Sequence, residues 1–258
     1  MKLLPEHATD EMEPRLIIVP EIDSTNLALR REYQELPDGT LYCALNQTAG
    51  RGRLNRRWIT PPNSALCCSM LFKSVSEPYH AGAVIALAAL ELVNGCLGNE
   101  EAFFKWPNDI YIRSAKLAGI LSEGVIEQGR FAAIISGVGI NINQDADMLA
   151  QLDNSATSIY CQCGRLYDLE TLYTGLFAAA SRIYKRYLAA PEEIISLWKK
   201  ANRLQGKFLE AVRPDGTVLR GIFRDIAPDG AMIMEYDDKL HRFDCGDIKI
   251  IPSFDKEQ

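Results

Sequence analysis

A chain of 258 residues, 47% hydrophobic and 24% charged, holds enough apolar material for one large domain or a medium domain plus a small one. Its net charge of −6 and isoelectric point near 5.2 exclude a protein whose main body grips nucleic acid. Seven scattered cysteines (43, 67, 68, 96, 161, 163 and 245) exclude a disulfide framework, and the three histidines (7, 80 and 241) offer no zinc-binding spacing. Reduced cysteines, mostly buried and inert, are expected. No signal-peptide core opens the chain. The most apolar run, Ala81 to Val93, is too short to span a bilayer and contains Glu91, so a cytoplasmic protein without a membrane partner is expected.

Residues 1–14 read as a charged, proline-punctuated lead-in, and 16–19 as a short buried strand broken by Pro20. Asp23-Ser24-Thr25-Asn26 supplies several N-cap residues, so a helix is expected from here to Glu35 with the hydroxyls acting first as caps. Pro37-Asp38-Gly39 turns the chain into a strand over 41–45 that delivers Gln47 and an unusual loop. The eight residues 50–57 contain Gly50, Arg51, Gly52, Arg53, Arg56 and Arg57, and Trp58 closes them. Glycine can take positive φ and approach a ligand closely, and the arginine fork matches carboxylate and phosphate oxygens. Trp58 adds a stacking face. Alone, the loop reads equally well as a solvated basic segment; on an acidic body it suits a small anion better than a polyanion.

A strand over 65–72 follows, then a nearly all-apolar buried helix from Tyr79 to about Leu97. Residues 103–106 form a strand with Lys105 inside it, and Pro107 ends it, leaving Asn108 and Asp109 at its mouth. Residues 110–112, 116–126 and 131–142 read as further antiparallel strands. Glycines 119, 137 and 139 inside them suggest close approach of backbone and ligand. After an irregular stretch over 158–165, Asp168 caps a long amphipathic helix to Leu188, and Pro191 opens another to about Arg203. From Gln205 the chain becomes short alternating segments, 208–212, 218–226, 231–236 and 244–250, separated by turns at 213–216 and 228–230. That pattern predicts a small all-β barrel packed on the main domain.

A lysine inside an apolar strand is rare unless paired or facing a ligand. Two such lysines, Lys105 and Lys116, flank a Pro-Asn-Asp mouth in a chain that also carries the arginine loop and a Ser-Thr-Asn helix start. A structural ion-pair network accounts for one lysine more easily than for the whole set.

The motifs Asp23-Ser24-Thr25-Asn26, Gln47-x-x-Gly50-Arg51-Gly52-Arg53, Lys105-Trp106-Pro107-Asn108-Asp109, Lys116-Leu117-Ala118-Gly119-Ile120-Leu121 and Gly137-x-Gly139-x-Asn141 occur in one order. In this the sequence closely resembles the biotin–protein ligases, strongly over 15–145 and weakly over 205–250. The resemblance implies an α+β catalytic domain over 1–204, of the class II synthetase-like biotin–lipoate ligase type, with a mixed, largely antiparallel central sheet and flanking helices. It implies a C-terminal SH3-like β-barrel over 205–258. The chain departs from the family loop at Asn55, where glycine is usual; asparagine tolerates the left-handed region, so only a slight change in loop closure is expected. Some members carry an N-terminal DNA-binding domain. Only 23 residues precede Ser24 here, so a ligase without DNA binding is expected.

By the same resemblance, biotin's carboxylate attacks the α-phosphate of ATP, carried with Mg²⁺, and the biotinyl-5′-AMP formed acylates a lysine of a biotin carboxyl carrier domain. Arg51, Arg53, Lys105, Asp109 and Lys116 are implied as catalytic. Ser24, Thr25, Asn26, Gln47, Gly50, Arg51, Lys116 and Gly119 are implied to bind biotin, and Arg53, Trp58, Lys105, Asn108 and Asn141 to bind ATP. Asp109 has two implied roles, as a Mg²⁺ ligand or as the group that orients a lysine. The rivals are a lipoate–protein ligase, a non-enzymatic nucleic-acid binder, and a degenerate ligase that only binds biotin. Both monomers and homodimers occur in the family.

Overall fold

Seven strands form the platform on which the motif residues are mounted. In the computed structural model, which describes residues 13–252 apart from 76, 100, 152–155, 213–216 and 245–248, they are β1 (Leu16–Ile22), β2 (Leu41–Gln47), β3 (Ala65–Phe72), β4 (Ala102–Lys105), β5 (Asp109–Ile112), β6 (Ala115–Glu127) and β7 (Arg130–Asn141). Their order is β1-β2-β3-β7-β6-β5-β4, with β1 and β2 parallel and every other neighbour antiparallel. This is a mixed α+β sheet, as the sequence implied. Pro20 does not break β1: the register runs from Val19↔Ala44 to Glu21↔Asn46 across it. Proline lacks an N–H to give a second neighbour, and β1 is an edge strand that needs none on its outer side.

One face of the sheet is covered by α2 (Pro78–Leu97), with α5 (Leu169–Ala189) and α6 (Pro191–Ala201) packed on it. Helix α2 starts at a proline in its first turn and stops at Gly98, which takes φ 74°. Ala83, Val84, Ile85, Ala86, Ala88 and Ala89 are almost fully buried, as a helix that is apolar all round must be. At 20 residues it is longer than the apolar run Ala81–Val93. By length and composition alone it passes for a membrane span, so the length criterion does not exclude it; its place on the sheet does the arguing. Helix α1 (Thr25–Glu32), shorter than expected, covers the other face with Ala28 and Leu29.

The stretch over 158–165, expected to be irregular, contains one short helix, and another precedes it. Asp145 caps α3 (Ala146–Ala150), and α4 (Ile159–Cys163) starts at Ser158, whose hydroxyl accepts the N–H of Cys161 at 3.0 Å, and ends at Gly164 with φ 68°. Helices of five residues are too short for a hydrophobic period to show in sequence.

The last strands are β8 (Phe208–Val212), β9 (Val218–Ile226), β10 (Met232–Tyr236), β11 (Lys239–Phe243) and β12 (Lys249–Pro252). They form a five-stranded antiparallel sheet in the order β11-β10-β9-β8-β12. Of the strand expected over 244–250, residues 245–248 lie outside the described residues and 249–250 belong to β12, while β11 occupies a stretch for which no strand was expected. Asp237 and Asp238 both take positive φ, 51° and 57°, which turns β10 into β11. Residues 1–12 of the lead-in expected over 1–14, and the turn over 213–216, lie outside the described residues.

The two sheets are joined by specific bonds. The indole N–H of Trp106, a residue buried to 1% exposure, donates to the carbonyl of Gly230 at 2.9 Å. His80 sits 3.0 Å from the carbonyl of Pro228 through Nε2 and 2.9 Å from the Tyr187 hydroxyl through Nδ1. Since the carbonyl only accepts, Nε2 carries the proton and Nδ1 accepts from tyrosine. The turn 228–230 thus plugs into the main domain behind the Lys-Trp-Pro-Asn-Asp hairpin.

Candidate active site

The entrance of α1 is satisfied from outside the helix. Ser24 has extended N-cap backbone, but its hydroxyl makes no bond to the helix N–H groups. Gln47, at the end of β2, replaces it: Oε1 accepts the N–H of Thr25 at 2.8 Å and lies 3.2 Å from the Thr25 hydroxyl. Ser24, Thr25 and Asn26 are all buried. The expected role of the hydroxyls as caps is therefore corrected. They line a polar floor.

Ser69 of β3 extends that floor. Its hydroxyl donates to Asn26 Oδ1 at 2.5 Å and lies 2.7 Å from the Thr25 hydroxyl, so Thr25 is the donor of that second pair. The Asn26 amide donates in turn to Glu123 at 2.8 Å and to the Leu121 carbonyl at 3.3 Å. A Cβ at Gly137 would lie 2.3 Å from Asn26 Oδ1, which is why glycine interrupts β7 there.

The arginine loop folds back on itself. Trp58 N–H donates to the Gly50 carbonyl at 3.0 Å, Gly52 N–H to the Arg56 carbonyl at 2.8 Å, and Arg51 bridges to Arg57. Neither Gly50 nor Gly52 takes positive φ; Leu54 does, at 54°. Gly50 is required for a different reason than expected, since a Cβ there would meet the Trp58 carbonyl at 2.3 Å. Trp58 is not an open stacking face either. Its indole lies on Gly139 and Gly119, a cross-strand pair, and a Cβ at Gly139 would be 2.3 Å from its ring. The strand glycines thus admit this chain's own side chains, where the sequence suggested a ligand. Trp58 Nε1 is buried without a partner, a state that favours any acceptor brought to it.

The cations are mounted on both sides of the loop. Arg51 forms an ion pair with Glu123 at 3.1 Å, and Arg53 donates to Asn108 Oδ1 at 2.9 Å. Asn108 is itself fixed, donating to the Ile120 carbonyl and accepting the Ile120 N–H through its backbone carbonyl, both at 2.8 Å. Lys116 lies 2.6 Å from Asp109, at angles outside those of a hydrogen bond. Its side chain is 35% exposed, so Lys116 is not the buried lysine the pattern suggested. Lys105 is, at 9% exposure, with its ammonium 4.2 Å from the centre of the Tyr111 ring. Burial, and then the Asp109 charge, pushes the Tyr111 phenol up to about 12, so the ring is neutral at pH 7. Lys105, Asp109, Tyr111 and Lys116 share one region because Lys105↔Asp109 and Tyr111↔Lys116 are facing pairs on adjacent strands.

Asn141 stands apart from the rim. It is buried at 3% exposure, its amide donates to the Thr157 carbonyl at 3.0 Å, and its oxygen accepts from Gln144 at 3.0 Å. The Thr157 N–H donates to the Lys116 carbonyl at 2.8 Å, so the segment behind α4 braces β6. Burial drives the Cys67 thiol up to about 11 and raises that of Cys43, and all six described cysteines are free, as expected of inert thiols. Among the described residues no group of three His, Cys, Asp or Glu is placed to hold a metal ion. Ser69, Tyr111 and Glu123 belong to the site and to none of the sequence motifs.

Residues 18–141 match the Biotin/lipoate A/B protein ligase family, and the chain belongs to that family. Within it the similarity is to biotin ligases. The chain is 31% identical over 239 residues to the bifunctional ligase/repressor BirA of Escherichia coli, covering 90% of this chain and 73% of that protein. It is 31% identical over 254 residues to a biotin–[acetyl-CoA-carboxylase] ligase of Mycobacterium tuberculosis, covering 91% and 88%. The biotin protein ligase of Aquifex aeolicus, solved in complex with biotin and ATP, shares the fold with a TM-score of 0.76 at 22% identity, over 93% of this chain and 99% of that one.

Proposed function

We propose that this chain is a biotin–protein ligase, which uses ATP to make biotinyl-5′-AMP and transfers the biotinyl group to a lysine of a biotin carboxyl carrier domain. The observation that carries the proposal is the junction of a neutral, buried hydrogen-bonding floor with a rim of four cations, Arg51, Arg53, Lys105 and Lys116. Biotin has that polarity: a ureido edge of donors and acceptors at one end and a carboxylate at the other. The family match favours a ligase over a nucleic-acid binder, and the activities of the relatives favour biotin over lipoate.

In the first half-reaction the substrate carboxylate is the nucleophile, attacking the α-phosphorus while pyrophosphate leaves, so the protein supplies positioning and charge. Ser24, Thr25, Asn26 and Gln47 are assigned to the ureido ring, with the backbone at Gly50 and Gly119 assigned to close the site around biotin. Lys116, oriented by Asp109, is assigned to the biotin carboxylate, and Arg51, Arg53 and Lys105 to the phosphates. Asn108 holds Arg53 at the nucleotide side, and Trp58, with its unpartnered N–H, is assigned to the nucleotide. Asn141 contributes through its brace of the Thr157 segment.

A resident metal does not fit these residues, because Asp109 is engaged by Lys116 with no second acid beside it. Magnesium therefore belongs to the nucleotide substrate. In the second half-reaction the neutral amine of the acceptor lysine attacks the acyl carbon and AMP leaves. Residues 1–204 serve as the catalytic unit, and 205–258 as a small SH3-like barrel that supports the 105–109 hairpin.

The deciding experiment is acid-dependent exchange of labelled pyrophosphate into ATP with biotin, lipoate and octanoate in parallel. Exchange with biotin alone is expected. Exchange with lipoate instead overturns the substrate, and no exchange with any acid overturns adenylation.

A further inference from the structure

Glu123 lies in none of the motifs, yet it ties two of them together. It projects from β6, where it faces Ile135 of β7 in the antiparallel register. Its side chain is only 17% exposed. One oxygen accepts from Asn26 at 2.8 Å and from Arg51 NH1 at 3.3 Å, and the other lies 3.1 Å from Arg51 NH2. Asn26 continues through Ser69 to the Thr25 hydroxyl, and the Thr25 backbone N–H donates to Gln47 at 2.8 Å. A series of hydrogen bonds thus leaves the chain at Gln47, crosses beneath the pocket, and returns to the same loop at Arg51.

We infer that Glu123 is a positioning residue that holds the arginine loop in its closed place against the polar floor. The deduction rests on the proposed ligase activity for its kinetic consequence and on geometry alone for the latch. An exposed ion pair stabilises little, because water competes and the side chains must be ordered. Here the carboxylate is mostly buried and fixed by Asn26 before Arg51 arrives, so the entropy of placing it is already spent and the guanidinium meets a preset bidentate acceptor. Among the described residues, Glu123 is the one group that ties the Arg51 side chain to the sheet. Any ligand that shifts Asn26 moves the carboxylate, and the loop with it.

The test is a double-mutant cycle on the full chain with Glu123→Gln, Arg51→Gln and the pair, plus Glu123→Asp as the charge-retaining variant. The first readout is the rate of tryptic cleavage after the exposed Arg56 and Arg57, which needs no ligand. The second is KM for biotin against kcat in pyrophosphate exchange. Each single variant is expected to raise loop cleavage about fivefold or more, the factor for losing a contact of this size, with the double variant no worse than either. Glu123→Asp is expected to recover part of the protection. For Glu123→Gln, KM for biotin is expected to rise more than kcat falls, whereas general damage to the fold lowers kcat and the melting temperature together. Additive cleavage effects, or no effect of Glu123→Gln, overturn the latch. Exchange with biotin alongside an additive cycle removes the latch and leaves the ligase; a coupled cycle with no exchange by any acid removes the ligase and leaves the latch.

Discussion

The floor and the rim of the site are built by opposite means. Thr25, Asn26, Gln47 and Ser69 are neutral and bound to one another by bonds of 2.5 to 2.8 Å. They are set by the same packing that folds α1 onto the sheet. Arg51, Arg53 and Lys116 are partly open to solvent, each held by one partner on another element. A neutral network in low dielectric is stiff and costly to break, while half-exposed ion pairs are weak and screened by salt. Folding therefore fixes the neutral floor, while Arg53 and Lys116 stay free to rearrange around a bound ligand.

The largest effect expected is on the rim. Lys116→Ala removes the charge that the proposed function sets at the reacting carboxylate, and is expected to slow adenylate formation by about two orders of magnitude or more with little change in melting temperature. Stopped turnover of labelled ATP reads the rate; an unchanged rate removes Lys116 from the mechanism. The next contrast needs only a methyl group. Gly137→Ala places a Cβ on Asn26 and is expected to weaken biotin binding and cost about 1–3 kcal/mol of stability. Gly52→Ala, whose nearest neighbour would be 3.5 Å away at an ordinary φ of −118°, is expected to cost little of either. Equal losses in calorimetry and chemical unfolding erase the distinction.

A subtler version is Ser69→Ala, which strips one partner from Thr25 and from Asn26. A loss of about 1–3 kcal/mol is expected, and it should not change between low and high salt. A salt-sensitive loss marks the floor as electrostatic after all. The smallest effect concerns Asp23, next to Ser24. The hydrogen bonds from Arg31, then that from the Ser24 backbone, hold its carboxyl down to about 2. A folded pKa below the unfolded one stabilises above the unfolded value, and the benefit fades as pH falls toward 2. The pair is largely exposed, so the stability involved is slight; carboxyl NMR is the proper readout, with Arg31→Ala expected to return the midpoint toward 3.8.

The legible part of the site was the part whose chemistry is odd for its surroundings. Lysine inside an apolar strand, four arginines in a loop and hydroxyls before a helix each announce themselves in one dimension. Ser69 does not, because a single serine in a strand that is otherwise apolar reads as tolerated; its partners lie 43 and 44 positions away. Glu123 follows the same logic, in a strand that turns polar toward its end and with a partner 97 positions away. The main sheet and long helices were readable from period and breakers. β11 was not, since Lys239–Phe243 alternates too weakly to register without the Asp237-Asp238 turn beside it. Strand glycines were marked correctly as points of close approach, but sequence cannot say what approaches.

The bond from Trp106 to Gly230 bears on modularity. The last fifty residues have the outline of a detachable part, and a chimera grafting another ligase's tail onto this body is an obvious design. Such a graft must offer a carbonyl to an indole that is sealed from water, and a small turn that leaves room for Tyr79, whose ring would lie 2.1 Å from any Cβ at position 230. A buried donor left empty costs about 1–3 kcal/mol, and here that cost falls on the residue between Lys105 and Pro107. The tail is interchangeable only with tails that carry the same three-residue key.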